Sequence, residues 1–219
     1  MQQFTILSSE RNFSHQVLGA MYLDRDVQAF YHDDYVPGDN RKVDGTVENL
    51  ICTLKNDIHP YPHAILREAR EKLVNIVATD LSQILRATGK VSLRICVVPR
   101  AKREQLYRAD QLYFRSAIQM ATELVDGCED GTHDIIRHTN TRTTHRNKSG
   151  NGGDGPLPYV GITRDTCTIS DSVVGKDILL IDDLYTKTIN IDEDCLQALL
   201  DAGARSVFFY SIGRTVSRY

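Results

Sequence analysis

The sequence predicts an α/β fold built on a mostly parallel, doubly wound sheet with an irregular N-terminal extension. Two strand–loop–helix units predict it. The first runs from the alternating, then apolar stretch Val91-Ser92-Leu93-Arg94-Ile95-Cys96-Val97-Val98 into a helix over 110–125. The second runs from Ile178-Leu179-Leu180-Ile181 into a helix over 191–202. The second apolar run does not alternate, as expected of a strand buried on both faces. At 219 residues the chain suits one domain with an added piece. We read 1–60 as an N-terminal extension or hood and 61–219 as the α/β domain.

Phe4 to Leu7 fits a short strand, and Val17 to Leu23 fits a helix or a strand. Tyr31-His32-Asp33-Asp34-Tyr35 followed by Pro37-Gly38-Asp39-Asn40 reads as a polar, turn-rich loop. Val47 to Asn56 is amphipathic and predicts a helix ending in a polar turn. Lys55 at its end would be solvated, would complement the helix dipole, or would meet a phosphate.

The clearest helix spans 62–88. Pro62 suits its first position. Ile65, Ala69, Leu73, Ile76, Val77, Leu81 and Ile84 repeat at three and four residues, and Gly89 stops it. In the helix over 110–125, Asp110 is the expected cap and Leu112, Ala117, Met120, Ala121 and Leu124 the expected inner face.

His133 to His138 predicts a strand. The polar stretch from Thr139 to Pro156 after it is too rich in Gly, Thr and charge to pack, so it is functional or a surface linker. Thr166 to Ile169 fits a strand or hairpin. In the helix over 191–202, Ile191, Leu196, Leu199 and Leu200 face inward, with Asn190 and Glu193 as a reciprocal cap. Val207 to Ile212 is the last strand, which leaves Arg214 on a ligand edge or on the surface.

Composition narrows the function. The chain is 41% hydrophobic and 25% charged with a net charge of −3, which argues against broad nonspecific binding to nucleic acid. Five scattered cysteines without a Cys-x-x-Cys pair read as reduced thiols rather than disulfides or a zinc site. The N-terminus lacks the basic start and apolar run of a signal peptide, and no stretch approaches membrane-span length. The expected location is cytoplasmic, with no membrane partner.

The chemistry concentrates after the buried run. Asp182 and Asp183 follow Ile181 at once, then Tyr185-Thr186-Lys187-Thr188, and Asn190 opens the helix. In open α/β sheets ligands sit outside the carboxyl ends of the strands, and a loop entering a helix offers free N–H groups to an anion. Likewise Pro99-Arg100-Ala101-Lys102-Arg103 places three cations just past another strand. Arginine forks and a lysine point charge suit a pyrophosphate.

These residues resemble the phosphoribosyl-diphosphate (PRPP) binding motif of the type I phosphoribosyltransferases, which has a hydrophobic strand, two acids and a threonine-rich loop into a helix. The helix end and strand at Leu199-Leu200-Asp201-Ala202-Gly203-Ala204-Arg205-Ser206-Val207 extend the likeness. It is closest over 176–214. Where the family usually has Thr-Thr-Gly-x-Thr, this chain has Thr186-Lys187-Thr188-Ile189-Asn190, without the glycine. Valine-proline followed by basic residues at 98–103 also looks like the ComF-type branch.

The resemblance implies a type I phosphoribosyltransferase-like fold and a glycosyltransferase reaction. In it, phosphoribose passes to a base or amine and pyrophosphate leaves. Asp182 and Asp183 would take the ribose hydroxyls. Thr186, Lys187, Thr188 and Asn190 would hold the 5′-phosphate, with Tyr185 facing the ring. Pro99, Arg100, Ala101 and Lys102 would hold pyrophosphate. Arg142, His145, Arg146 and Lys148 would belong to a loop that closes over PRPP and excludes water. Mg²⁺ would be held mainly through PRPP and water. The family is often dimeric. A second reading is a non-catalytic module that senses PRPP or a nucleotide and reports to a protein or nucleic-acid partner, in a ComF-like or defence-associated role. A third, weaker one is hydrolysis, with water as acceptor.

Overall fold

The computed structural model describes residues 1–8, 22–57, 60–141, 165–187 and 189–216. The main sheet has six strands: β1 (Gln2–Ile6), β2 (Val27–Tyr35), β3 (Leu93–Val97), β4 (Cys128–Asp130), β7 (Asp177–Tyr185) and β8 (Ser206–Thr215). Their spatial order is β1-β2-β8-β7-β3-β4. Among the described residues the edge pairing β1–β2 is antiparallel and the other four pairings of this sheet are parallel. A separate antiparallel ribbon joins β5 (Ile135–Arg137) to β6 (Cys167–Ile169). The main helices are α1 (Val47–Lys55), α2 (His63–Thr88), α3 (Tyr113–Glu123) and α4 (Ile191–Asp201).

Strand β7 is buried on both faces, as its unalternated sequence predicts. Leu179 and Ile181 join Ile95, Tyr210 and the α2 side chains Leu73, Val77 and Leu81 in one core. Ile178 and Leu180 join Phe209 and the α4 side chains Cys195, Leu196 and Leu199 in the other. Helices thus cover both faces of a mostly parallel sheet. Burying each such Leu or Ile contributes about 1.5–3 kcal/mol, so the acids that follow at Asp182 stand on a rigid strand end.

The segment read as an N-terminal extension is part of this sheet. The stretch read as a polar loop at 31–35 is the end of β2, paired in parallel with β8 from Ala29↔Phe209 to Tyr35↔Thr215. Its sequence looks loop-like because Asp33 and Asp34 are exposed, although Tyr35 packs on the core and the Val36 N–H donates to Glu48 of α1.

Other corrections are local. Pro62 is the residue before α2 rather than its first, and Ile65 is 45% exposed while Leu66 and Asp80 are buried. A 3₁₀ turn, Ala109–Leu112, precedes α3, so Asp110 caps nothing and instead accepts from Arg108 Nε. Met120 and Leu124 face outward and Ile118 inward. All five cysteines are free thiols.

Candidate functional site

The connections that leave the parallel strands β3 and β7 run toward opposite edges of the sheet. From β3 the chain proceeds outward to β4; from β7 it proceeds outward to β8, on the other side. The point between β3 and β7 is where the strand order reverses, and ligands of open α/β sheets bind there, beyond the carboxyl ends. Asp182 and Asp183, still within β7, lie on one side of it, just past Ile181, where the pairing with β3 ends. Pro99 to Lys102 follow β3 on the other, tied across by Val98 N–H donating to Ile181 O at 3.0 Å.

The two acids have separate surroundings. Asp183 meets Lys55, with Nζ 3.0 Å from Oδ1 and about a quarter of each side chain exposed. Burial works against the Lys55 ammonium, but the charges of Asp183 and Asp182 outweigh it and hold its pKa above the usual lysine value. Lys55 is therefore ion-paired with Asp183. Asp182 accepts from the Asp183 N–H at 2.7 Å and turns toward the first turn of α4, within hydrogen-bonding reach of Asp192. Burial, then the charge of Asp183, pushes Asp182 up to about 7 against the pull of Lys55. Asp192 is 5% exposed and raised well above the carboxylate range, by burial and then by Asp182. Two carboxyls this close share a proton rather than both ionise.

Asp192 and Glu193, in the first turn of α4, are both buried. Asp192 faces Asp182, and Glu193 accepts from Tyr185 Oη at 2.9 Å. Asn190 precedes the helix in the left-handed conformation, φ 60°, and makes no side-chain cap, so the reciprocal cap with Glu193 does not form. Asp192 Oδ1, Glu193 Oε2 and Ser211 Oγ are buried without a hydrogen-bond partner among the described residues, with Ser211 directly beside Asp182 in the β7–β8 register. Polar atoms buried in this way usually meet an ordered water or a ligand group.

Several predicted ligand residues have structural duties. Tyr185 is 4% exposed and packs its ring against Phe4 and Phe209, so its side chain belongs to the core and not to a ribose. Thr186 Oγ1 lies 2.7 Å from Thr215 Oγ1, which ties the loop to the end of β8. Lys187 is exposed. Arg100 is held by Asp57, by the carbonyls of Lys55 and Gln111, and by stacking on the Tyr107 ring at 4.4 Å. Ala101 O accepts from the Thr141 N–H, and the Lys102 N–H donates to Tyr107 Oη. Pro99 is buried. Arg214 lies over the rings of Phe4 and Tyr31. Thr188, Arg142, His145, Arg146 and Lys148 lie outside the described residues.

Lys55 is the member of the site that sequence reasoning placed least well. Its signal was present, a cation at the end of an amphipathic helix, but nothing in the sequence aligns α1 with the end of β7. Compared with known proteins, the chain matches no family model and no curated sequence.

Proposed function

We propose that this protein binds PRPP, or a nucleotide of similar form, at the crevice between β3 and β7 and transfers its phosphoribosyl group to a base or amine, with release of pyrophosphate. The observation that carries the proposal is the placement of adjacent acids, Asp182 and Asp183, at the strand-order reversal, with a loop entering α4 just beyond. Carboxylates accept hydrogen bonds from ribose hydroxyls, and the N-terminal N–H groups of α4 suit a phosphate. On this reading the architecture is type I phosphoribosyltransferase-like, in its ComF-type branch. Among the described residues no three Asp, Glu, His or Cys side chains converge as a metal cage, so Mg²⁺ would arrive with the diphosphate.

A second reading, sensing without transfer, draws on a different observation. Lys55 is paired with Asp183 and Arg100 with Asp57, so two cations near the crevice are already engaged. Pyrophosphate release measured with PRPP, Mg²⁺ and a panel of bases, beside calorimetric binding of PRPP, separates the two. Release supports transfer; binding without release supports sensing; PRPP consumption without a base identifies hydrolysis. Failure to bind PRPP removes all three.

A further inference from the structure

We propose that Asp192 is a positioning residue for Asp182: from the first turn of α4 it donates the hydrogen bond that fixes that carboxylate for its ligand. The placement follows from the sequence. Asp192, Cys195, Leu196 and Leu199 are spaced by three and four residues and share one face of α4. Cys195, Leu196 and Leu199 pack that face in one cluster with Leu180 and Phe209. Two residues on, on the same face of the sheet, come Asp182 and Ser211, because side chains alternate along a strand and these two are register partners. Asp192 therefore stands against them, 5% exposed, while Asp182 is only half-buried.

One of the two carboxyls must be the neutral donor, and the surroundings decide which. Asp182 accepts from the Asp183 N–H at 2.7 Å and feels the Lys55 ammonium, both of which favour a charge on it. On Asp192, burial and the acids Asp182, Glu193 and Asp183 all work against a charge. The other titratable groups beside it, Tyr185 and Cys195, bring no positive charge, and its Oδ1 has no hydrogen-bond partner among the described residues. The proton stays on Asp192, whose O–H donates to Asp182 and pulls that carboxyl down against burial. The charged groups that act on Asp182 are thus Asp183 from β7 and Lys55 from α1. From β8 comes Ser211, wholly buried, with Oγ unpartnered among the described residues. A hydroxyl left in this way beside a fixed carboxylate suits a ligand group held by both.

A neutral Asp192 supplies a donor without a second negative charge, so the two acids present a single charge to a ligand that is itself anionic. An amide at this position supplies the same donor with no proton to share, and alanine supplies none. The donor role at Asp182 does not depend on the ligand. Its service to a ribose rests on the function proposed above.

The test is carbon NMR of the full chain labelled at its aspartate carboxyls, titrated without ligand, with the Asp182 signal assigned by its loss in Asp182→Asn. In the wild type that carboxyl should titrate at about 7. Asp192→Asn should leave the titration near the same pH, and Asp192→Ala should move it upward by about a tenfold change in proton affinity. A downward move in Asp192→Asn would show a charged Asp192, and no move in Asp192→Ala would show that it donates nothing; either result overturns the proposal. Calorimetry with PRPP and Mg²⁺ at about pH 8, above the Asp182 titration, reads the effect on a ligand. Binding should be about tenfold weaker in Asp192→Ala, with most of the loss recovered in Asp192→Asn. No loss in Asp192→Ala, or an equal loss in both variants, overturns the positioning role. PRPP binding to none of the three proteins, with the titrations as expected, upholds the donor and removes the ribose reading.

Discussion

Lys55 Nζ lies 3.0 Å from Asp183 Oδ1, so the last residue of α1 is clamped to the end of β7 across 128 positions of sequence. The pair is three-quarters shielded and flanked by Asp182, which makes Lys55 the positive charge that lets two adjacent acids coexist. Lys55→Met should cost about 1–3 kcal/mol of stability in urea unfolding at pH 8, because Asp183 loses its partner. Asp183→Asn in the Lys55→Met background should restore much of that loss.

The acid cluster also sets a pH dependence. In the folded protein Asp182 holds its proton up to about 7, whereas its ordinary value is 3.8. Between those values the folded state binds more protons than the unfolded one, so this group stabilises at low pH and its contribution fades as pH rises through 7. Asp182→Asn should flatten the decline between pH 4 and 7 and leave the variant more stable than wild type at pH 8. Asp177 behaves oppositely. Its hydrogen bond from Arg205, opposed by burial and aided by Ser206 and Lys90, holds it well below the usual range. Its contribution is present above the ordinary carboxylate pKa and is lost as pH falls, so Asp177→Asn should blunt acid unfolding. Denaturation midpoints over pH 3–8 check both.

Gly213 sets how closely α1 approaches the sheet. A Cβ there would stand 3.1 Å from Leu184 Cδ1, 3.1 Å from Val47 Cγ1 and 3.2 Å from Ile51 Cδ1. All three are packed side chains that must yield together, so Gly213→Ala should cost about 1–3 kcal/mol. It should also loosen the Lys55–Asp183 contact, readable as faster amide exchange at the end of α1.

Asp80, 2% exposed on α2, accepts from Tyr210 Oη at 2.8 Å and meets His32 Nδ1 at 2.9 Å. Asp80→Ala should cost about 2–3 kcal/mol, since it leaves the wholly buried Tyr210 hydroxyl without its acceptor. Tyr210→Phe removes only one bond and should cost about 1 kcal/mol. Equal losses in urea unfolding would contradict this ordering.

Much of the fold was legible because its signals are local. The periodicity of α2, the apolar run of β7 and the alternation in β3 each announce an element within ten or so residues. The misses share a physical cause: they depend on what lies across space. The end of β2 reads as a loop because Asp33 and Asp34 are exposed, and only its pairing with β8 makes it a strand. Strand β4, three residues long, is a strand only because β3 lies beside it. Glu193 reads as half of a reciprocal cap with Asn190, and only the fold turns it to Tyr185 and Asp192 toward Asp182. Likewise the cations after β3 look free in sequence, while Arg100 is committed to Asp57.

The central claim is that twin acids at the end of β7 hold a ribose phosphate. Calorimetric titration of PRPP with Mg²⁺ into the wild-type protein and into Asp182→Asn/Asp183→Asn, with both folds checked by circular dichroism, tests it most directly. The wild type should bind saturably and the double variant at least about tenfold more weakly; equal affinity in the two proteins, or none in the wild type, would overturn the assignment.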